Sequence, residues 1–157
     1  NNNFIQQASG TDRPVFTYKA TFPVEEQLNV TIRNSTGDFS KQLGIGIQPS
    51  EPLTGIYEVQ PLRGIVFERA LGAFVGAAGD PLDFSAIPFF FPLERLPDIT
   101  YTWSLNGQTI TGTFTKPWLF TLTSNAGQTS SNSLNVTAAD TGKNGVNTLQ
   151  SATINLH

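Results

Sequence analysis

Short runs in which apolar and polar residues alternate recur along most of the chain. In one of them, Leu28, Val30 and Ile32 alternate with polar neighbours. Successive side chains of a β-strand point to opposite faces, so this alternation is typical of a strand with one buried face. Other runs lie at 15–22, 43–47, 101–105, 118–122, 134–138 and 152–156. The pattern predicts an all-β protein with about ten or eleven short strands.

The strongest local signal is the pair Asn106-Gly107, which follows the alternating run at 101–105. A two-residue type I′ turn needs positive φ at both central positions, and Asn-Gly satisfies this requirement with little strain. The pair therefore predicts a hairpin in which a strand at 99–105 pairs with a return strand at 108–115.

Composition agrees with a β-rich chain and excludes some partners. Charged residues make up 13% of the chain, against roughly 25% in an average soluble protein, and the net charge is −3. The 19 threonines favour strands because they are β-branched. Basic residues are scattered, so neither nucleic acid nor an anionic membrane surface is predicted as a partner. The apolar runs are far shorter than the roughly 20 residues of a membrane-spanning helix, so membrane insertion is not predicted.

The number and spacing of the strands favour an antiparallel sandwich, which the resemblance described below makes immunoglobulin-like, with a smaller N-terminal β subdomain as one arrangement. Residues 1–14 are polar and are predicted to form an N-terminal arm. Residues 15–60 are interpreted as an N-terminal β region and residues 61–157 as the sandwich. A single domain over residues 15–157 is the alternative interpretation.

The segment from Ile99 to the end resembles immunoglobulin-like or PKD-like repeats of bacterial cell-surface proteins. The resemblance rests on the run Ile99–Gly107, in which Trp103 corresponds to the inner-core tryptophan, with later strands at 134–137 and 152–156. It implies an extracellular scaffold or adhesion role and brings no catalytic residues. The acidic turn often found in PKD repeats is missing here.

Residues suited to catalysis or metal binding are sparse. The only histidine is His157, there is no cysteine, and no HExxH, Walker A or GxSxG motif occurs. The close acidic pairs are interpreted as solvated loop charges: Glu25/Glu26, Asp80/Asp83 and Glu94/Asp98. Asp140 before Thr141-Gly142 predicts an Asx-type turn. The sequence thus predicts no enzymatic activity, metal site or cofactor.

Several apolar residues are candidates for contact with another subunit. Phe4 and Ile5 form an isolated apolar pair in the arm. Phe89, Phe90 and Phe91 are consecutive, and three aromatic residues in a row cannot all face one core. Because Pro88 and Pro92 bracket them, this run is predicted to be an edge strand or a packed corner.

Two aromatic residues, Trp118 and Tyr57, are candidates for stacking on the sugar rings of a glycan. Trp118 also alternates in phase with Phe120 and Leu122, which favours packing in the core over ligand contact. Asn29, Asn34 and Asn135 each begin an N-glycosylation sequon. Such triplets also arise by chance in a chain rich in Asn and Thr.

Three functions are compatible with these features. The first is a non-catalytic extracellular module, a subunit of a surface filament, sheath, surface layer or adhesin, with copies of itself or neighbouring surface proteins as partners. The arm would then add to the open sheet edge of a neighbour. The second is a carbohydrate-binding module. The third is a capsid or fibre domain of a virus or phage, because jelly rolls share this composition.

Overall fold

A computed structural model of the chain describes residues 5–6, 9–18, 24–112, 114–142 and 145–157. The chain divides into two compact units, Asn1–Glu51 and Pro52–His157. Eleven strands lie in the described residues, which confirms the prediction of an all-β fold. The division falls after Glu51, so the strand Leu53–Gln60 belongs to the C-terminal unit; the sequence interpretation grouped it with residues 15–60.

The N-terminal unit contains a two-stranded antiparallel hairpin. Its strands are β1 (Glu26–Arg33) and β2 (Ser40–Ile47), in a ladder without a bulge. The glycines of β2 lie beside side chains of β1: an added Cβ at Gly44 would lie 3.2 Å from Oδ1 of Asn29. Residues 15–18 of the run predicted at 15–22 are not in a strand, and residues 19–22 lie outside the described residues.

Asn34 holds the turn between β1 and β2. Its Oδ1 accepts hydrogen bonds from the backbone amides of Gly37 and Phe39, both at 3.0 Å, and its Nδ2 donates to Oγ1 of Thr36 at 2.7 Å. Gly37 has a φ of +81°, which glycine adopts at little cost. The side chain of Asn34 is therefore part of the turn itself.

The C-terminal unit contains the other nine strands. They are β3 (Leu53–Gln60), β4 (Gly64–Ile65), β5 (Ala73–Gly76), β6 (Leu82–Phe89), β7 (Ile99–Leu105), β8 (Gln108–Thr109), β9 (Leu119–Leu122), β10 (Ser130–Asp140) and β11 (Asn147–Leu156). They form a four-stranded sheet in the order β4-β3-β6-β9 and a five-stranded sheet in the order β5-β11-β10-β7-β8. All pairs are antiparallel except β5 with β11, which is parallel.

The strand order is that of an immunoglobulin-like sandwich. In that fold strands B and E share one sheet, and C, F and G share the other. Here β6 and β9 pair in one sheet, and β7, β10 and β11 are neighbours in the other. Trp103 lies on β7, the strand in the place of C, and is 1% exposed. A fold of this kind hosts many functions and does not by itself indicate one.

One hydrophobic core joins the two sheets of the C-terminal unit. Alternate residues of each sheet point into it, and the ring of Trp103 stacks on Phe120 with centroids 5.5 Å apart. Its buried residues are Ile56, Leu71, Phe84, Ala86, Trp103, Phe120, Leu122, Leu134, Val136, Ala152, Ile154 and Leu156. The indole Nε1 of Trp103 donates to the carbonyl of Pro117 at 2.9 Å, so its one polar atom is satisfied.

Pro88 is accommodated because β9 is shorter than β6. The amide of Ala86 donates to the carbonyl of Trp118, one residue before β9 begins. Pro88 lies two residues further along and directs its ring nitrogen to the same side, beyond the end of β9. As a whole β6 is therefore an inner strand, and only its last residues have the free edge that the sequence predicts.

A 3-10 helix at Leu93–Asp98 is held to the end of β10 by Arg95. The Nη2 of Arg95 donates to Oδ1 of Asp140 at 2.6 Å, and its Nη1 lies 3.1 Å from Oδ2 of Asp98. Oδ1 of Asp140 also accepts the amide of Gly142 at 2.8 Å, which confirms the predicted Asx turn. Hydrogen bonds from Arg95 and then from Gly142 hold the pKa of Asp140 below its ordinary value.

We predict that Asp140→Asn reduces the acid sensitivity of the C-terminal unit. The folded pKa of Asp140 lies below the unfolded value of about 3.9. The ion pair of Asp140 with Arg95 therefore stabilises the fold fully above that pH, and the stabilisation is lost as the pH falls through the folded pKa. Thermal unfolding midpoints measured between pH 7 and pH 2 should fall less steeply below about pH 4 in the variant. Arg95→Gln should reduce the acid dependence of the midpoint similarly. The double variant should reduce it little further, because both substitutions remove the same ion pair. An unchanged acid slope in Asp140→Asn would contradict this role.

Candidate interaction surface

One face of the N-terminal hairpin is apolar and exposed. We call it the hairpin face; it consists of Leu28, Val30, Ile32, Leu43, Ile45 and Ile47. Leu28 pairs across with Ile45, and Val30 with Leu43, so these side chains lie on one side of the two strands. Exposure of Val30, Ile32, Leu43 and Ile45 ranges from 39% to 60%. The alternation predicted a buried face; among the described residues Leu28 and Ile47 are half-buried and the other four side chains are exposed.

The two ends of the hairpin face carry opposite charges. Glu26 pairs across with Ile47 at one end, and Lys41 pairs across with Ile32 at the other. The proximity of Glu26 and then burial raise the pKa of Tyr18. The phenol is therefore neutral near pH 7. The other side of the hairpin is polar, with Gln27, Asn29 and Thr31 of β1.

The three consecutive phenylalanines of the candidate subunit contact have three different environments. Phe91 is buried with Ile99 and Ala138, so it belongs to a core cluster and offers no contact surface. Phe89 is half-buried, with its ring 6.3 Å from that of Tyr57. Phe90 is 60% exposed and has a φ of +61°, a strained conformation for a bulky residue. Only Phe90 presents most of its side chain to solvent.

The candidate contact pair of the arm is described only in part. Ile5 is 40% exposed, whereas Phe4 lies outside the described residues. The prediction that the arm adds to the sheet edge of a neighbour stays a prediction.

The two candidate stacking residues differ in how far their side chains are exposed. Tyr57 is only 8% exposed, because its ring is packed between Phe67 and Phe89, so it has little surface for a sugar. Trp118 is 42% exposed and lies one residue before β9. The expectation that Trp118 packs in the core is wrong, whereas Trp103 is buried as expected.

The three sequon asparagines differ in how free their amides are. Asn29 is exposed on the polar side of β1. Asn34 is exposed, but both ends of its amide hold the hairpin turn. Asn135 is half-buried in the middle of the five-stranded sheet, where its Oδ1 accepts a hydrogen bond from Oγ of Ser151 at 2.6 Å. Of the three side chains, that of Asn29 makes the fewest hydrogen bonds within the described residues.

The C-terminal unit has an open cleft of about 420 Å³ that is lined mainly by apolar residues. Its lining includes Leu71 and Phe74 together with the charged residues Glu58, Glu68 and Arg69. No group of three or more His, Cys, Asp or Glu side chains in the described part of the chain is arranged to hold a metal ion. Within the same residues, no helix has the length and apolarity needed to cross a bilayer.

Comparison with known proteins gives no relative from which a function can be transferred. A search against protein-family models finds no match, and a search of curated proteins finds no significant similarity. The resemblance to immunoglobulin-like and PKD-like domains of bacterial surface proteins stays a prediction from the sequence. The hairpin face is then the feature of the chain that most directly indicates an interaction.

Proposed function

We propose that the chain is a non-catalytic structural or adhesive module of a cell-surface assembly, and that the hairpin face is its contact surface. The observation that carries this proposal is the exposure of a continuous apolar face on a regular, fully paired hairpin. The sandwich of the C-terminal unit supplies a rigid body with its own core. The hairpin supplies a surface that a neighbouring protein can cover.

The physical argument concerns the stability of the hairpin. An isolated two-stranded hairpin is marginally stable in water, and a third strand or a covering layer is usually needed. The largest contiguous apolar patch on a monomeric protein is typically about 300–600 Å² and is often an interaction site. Both outer edges of the hairpin also have unpaired main-chain groups in the described residues, to which a further strand can add. A neighbour that covers the face therefore stabilises the hairpin and the assembly together.

A matched pair of variants tests this function. Val30→Glu places a charge on the hairpin face, and Thr31→Glu places the same charge on the polar side of the same strand. We expect the wild-type protein to form assemblies at high concentration, as measured by sedimentation velocity and negative-stain electron microscopy. Val30→Glu should abolish these assemblies, because burying an unpaired carboxylate is costly, and Thr31→Glu should keep them.

Two results count against the proposed function. One is a wild-type protein that stays monomeric at every concentration up to about 1 mM, the weak end of specific association. The other is a Val30→Glu variant that assembles as the wild type does.

Glycan binding is a second candidate because the indole of Trp118 is exposed. Separately, the outer side of the five-stranded sheet has hydroxyl and amide groups, including Ser104, Asn135 and Ser151, which are linked by hydrogen bonds. Glycan-array binding that is lost in Trp118→Ala, with the fold intact, favours this function. A flat array with the wild-type protein eliminates it.

A further inference from the structure

We infer that the hairpin face packs against the hairpin face of a second copy of this chain. The two copies are related by a two-fold axis that lies between the faces and runs perpendicular to the strands. The inference rests on the proposed function and names its partner. Face-to-face packing of the two hairpins gives a four-stranded sandwich with apolar side chains inside. The symmetric dimer is isologous, so each contact occurs twice.

The positions of the two charges support a second copy. Glu26 and Lys41 occupy diagonally opposite corners of the hairpin face, because Glu26 pairs with Ile47 and Lys41 pairs with Ile32. Within one copy the two residues are separated by six positions along the strands, or about 20 Å at a rise of about 3.3 Å per residue. They therefore cannot pair with each other inside one hairpin.

Two face-to-face arrangements with aligned strands have two-fold symmetry, and the charges distinguish them. An axis parallel to the strands places Glu26 of one copy beside Glu26 of the other, and likewise Lys41 beside Lys41. An axis perpendicular to the strands reverses the strand direction, so Glu26 of each copy comes to the end where the other copy has Lys41. Only the perpendicular axis places opposite charges together, and the contact then has two ion pairs at its rim.

The perpendicular axis also keeps the apolar residues in contact. Leu28 of one copy then lies over Val30 of the other, and Ile45 lies over Leu43 of the other, because the centre of the ladder falls between these positions. The polar residues Gln27, Asn29 and Thr31 stay on the outer side. The result is a dry centre with charges only at the ends.

The size of the face sets the expected strength of the dimer. Two strands of eight residues cover a strip about 26 Å long and about 10 Å wide. Such a strip has an area of about 260 Å² per copy, about a third of the roughly 800 Å² of a standard stable interface. We therefore expect a dissociation constant in the micromolar to millimolar range for the free protein. In an assembly that holds many copies side by side, multivalency strengthens the same contact.

Charge reversal tests the arrangement. Glu26→Lys alone and Lys41→Glu alone each replace two attractive pairs by two repulsive pairs, so each should weaken dimerisation about tenfold or more. The double variant Glu26→Lys/Lys41→Glu restores two opposite pairs and should return the dissociation constant to within about threefold of the wild-type value. Sedimentation equilibrium at low ionic strength gives the constants, and added salt should reduce the differences.

The outcomes separate this inference from the proposed function. Assemblies that are lost in Val30→Glu but respond equally to the single and the double charge reversals would overturn the two-fold dimer and leave the contact surface in place. Rescue by the double variant cannot come from pairing within one copy, because the two positions are about 20 Å apart there. A wild-type protein that is monomeric throughout would overturn both. As a folding control, the circular dichroism spectra of all variants should match the wild type.

Discussion

Replacing Trp103 with alanine is expected to destabilise the C-terminal unit by about 3–5 kcal/mol. The side chain is 1% exposed, lies in the middle of the core and stacks on Phe120. Its removal leaves a cavity that the surrounding strands can only partly fill, and it also leaves the carbonyl of Pro117 without the indole donor. The free energy of unfolding is measured by urea denaturation.

Trp118→Ala is the matched control, because it removes the same side chain from an exposed position. We expect a change of less than about 1 kcal/mol. Both tryptophans lie in the C-terminal unit, so the fluorescence of the one that remains reports the unfolding of this unit alone. The Trp118→Ala protein should show the blue-shifted emission of a buried indole, and the Trp103→Ala protein the emission of an exposed one. Equal destabilisation by the two substitutions would contradict the placement of Trp103 at the centre of the core.

The difference between these two tryptophans shows what periodicity can predict. Trp118, Phe120 and Leu122 are in phase, and the last two are buried. Alternation correctly gives the face on which a side chain lies, but it does not show where the neighbouring layer ends. Because β9 begins at Leu119, the residue before it is at the border of the sheet and is largely exposed.

Local turn chemistry was predictable, and long-range pairing was not. Asn106 and Gly107 have φ angles of 52° and 79°, which confirms the hairpin turn. The return strand is only Gln108–Thr109, shorter than predicted. The region 70–86 contains β5 and the start of β6. The parallel pairing of β5 with β11 joins segments that are far apart in sequence. The four residues of β5 are too few to predict with which strand they pair.

The same reasoning explains why the hairpin face was missed. Alternation in β1 and β2 correctly predicted two strands, and the conclusion that their apolar side is buried assumed a layer within the chain. The structure gives the register that puts Leu28, Ile45 and their neighbours on one exposed face. The diagonal placement of Glu26 and Lys41 follows from that register, which depends on the length of the turn after Arg33 and not on the strand pattern alone.

Replacing Gly79 with alanine is expected to cost about 3 kcal/mol, because the position combines two constraints. Its φ of +103° lies beyond the left-handed region that side chains tolerate. An added Cβ would also lie 3.0 Å from the Cα of Ala126, so backbone would have to move. Gly79 joins the connection between β5 and β6 to that between β9 and β10, and its amide donates to Oγ of Ser124 at 3.1 Å. The substitution should therefore separate these two connections.

Gly127→Ala separates the two constraints. Gly127 lies in the same pair of connections and has a φ of +73°, but an added Cβ there would meet nothing within 4 Å. Its replacement should cost only the conformational penalty, about 1 kcal/mol. Urea denaturation followed by tryptophan fluorescence measures both variants against the wild type. If the two substitutions cost the same, the contact with Ala126 contributes nothing, and close approach is not the reason that glycine stands at position 79.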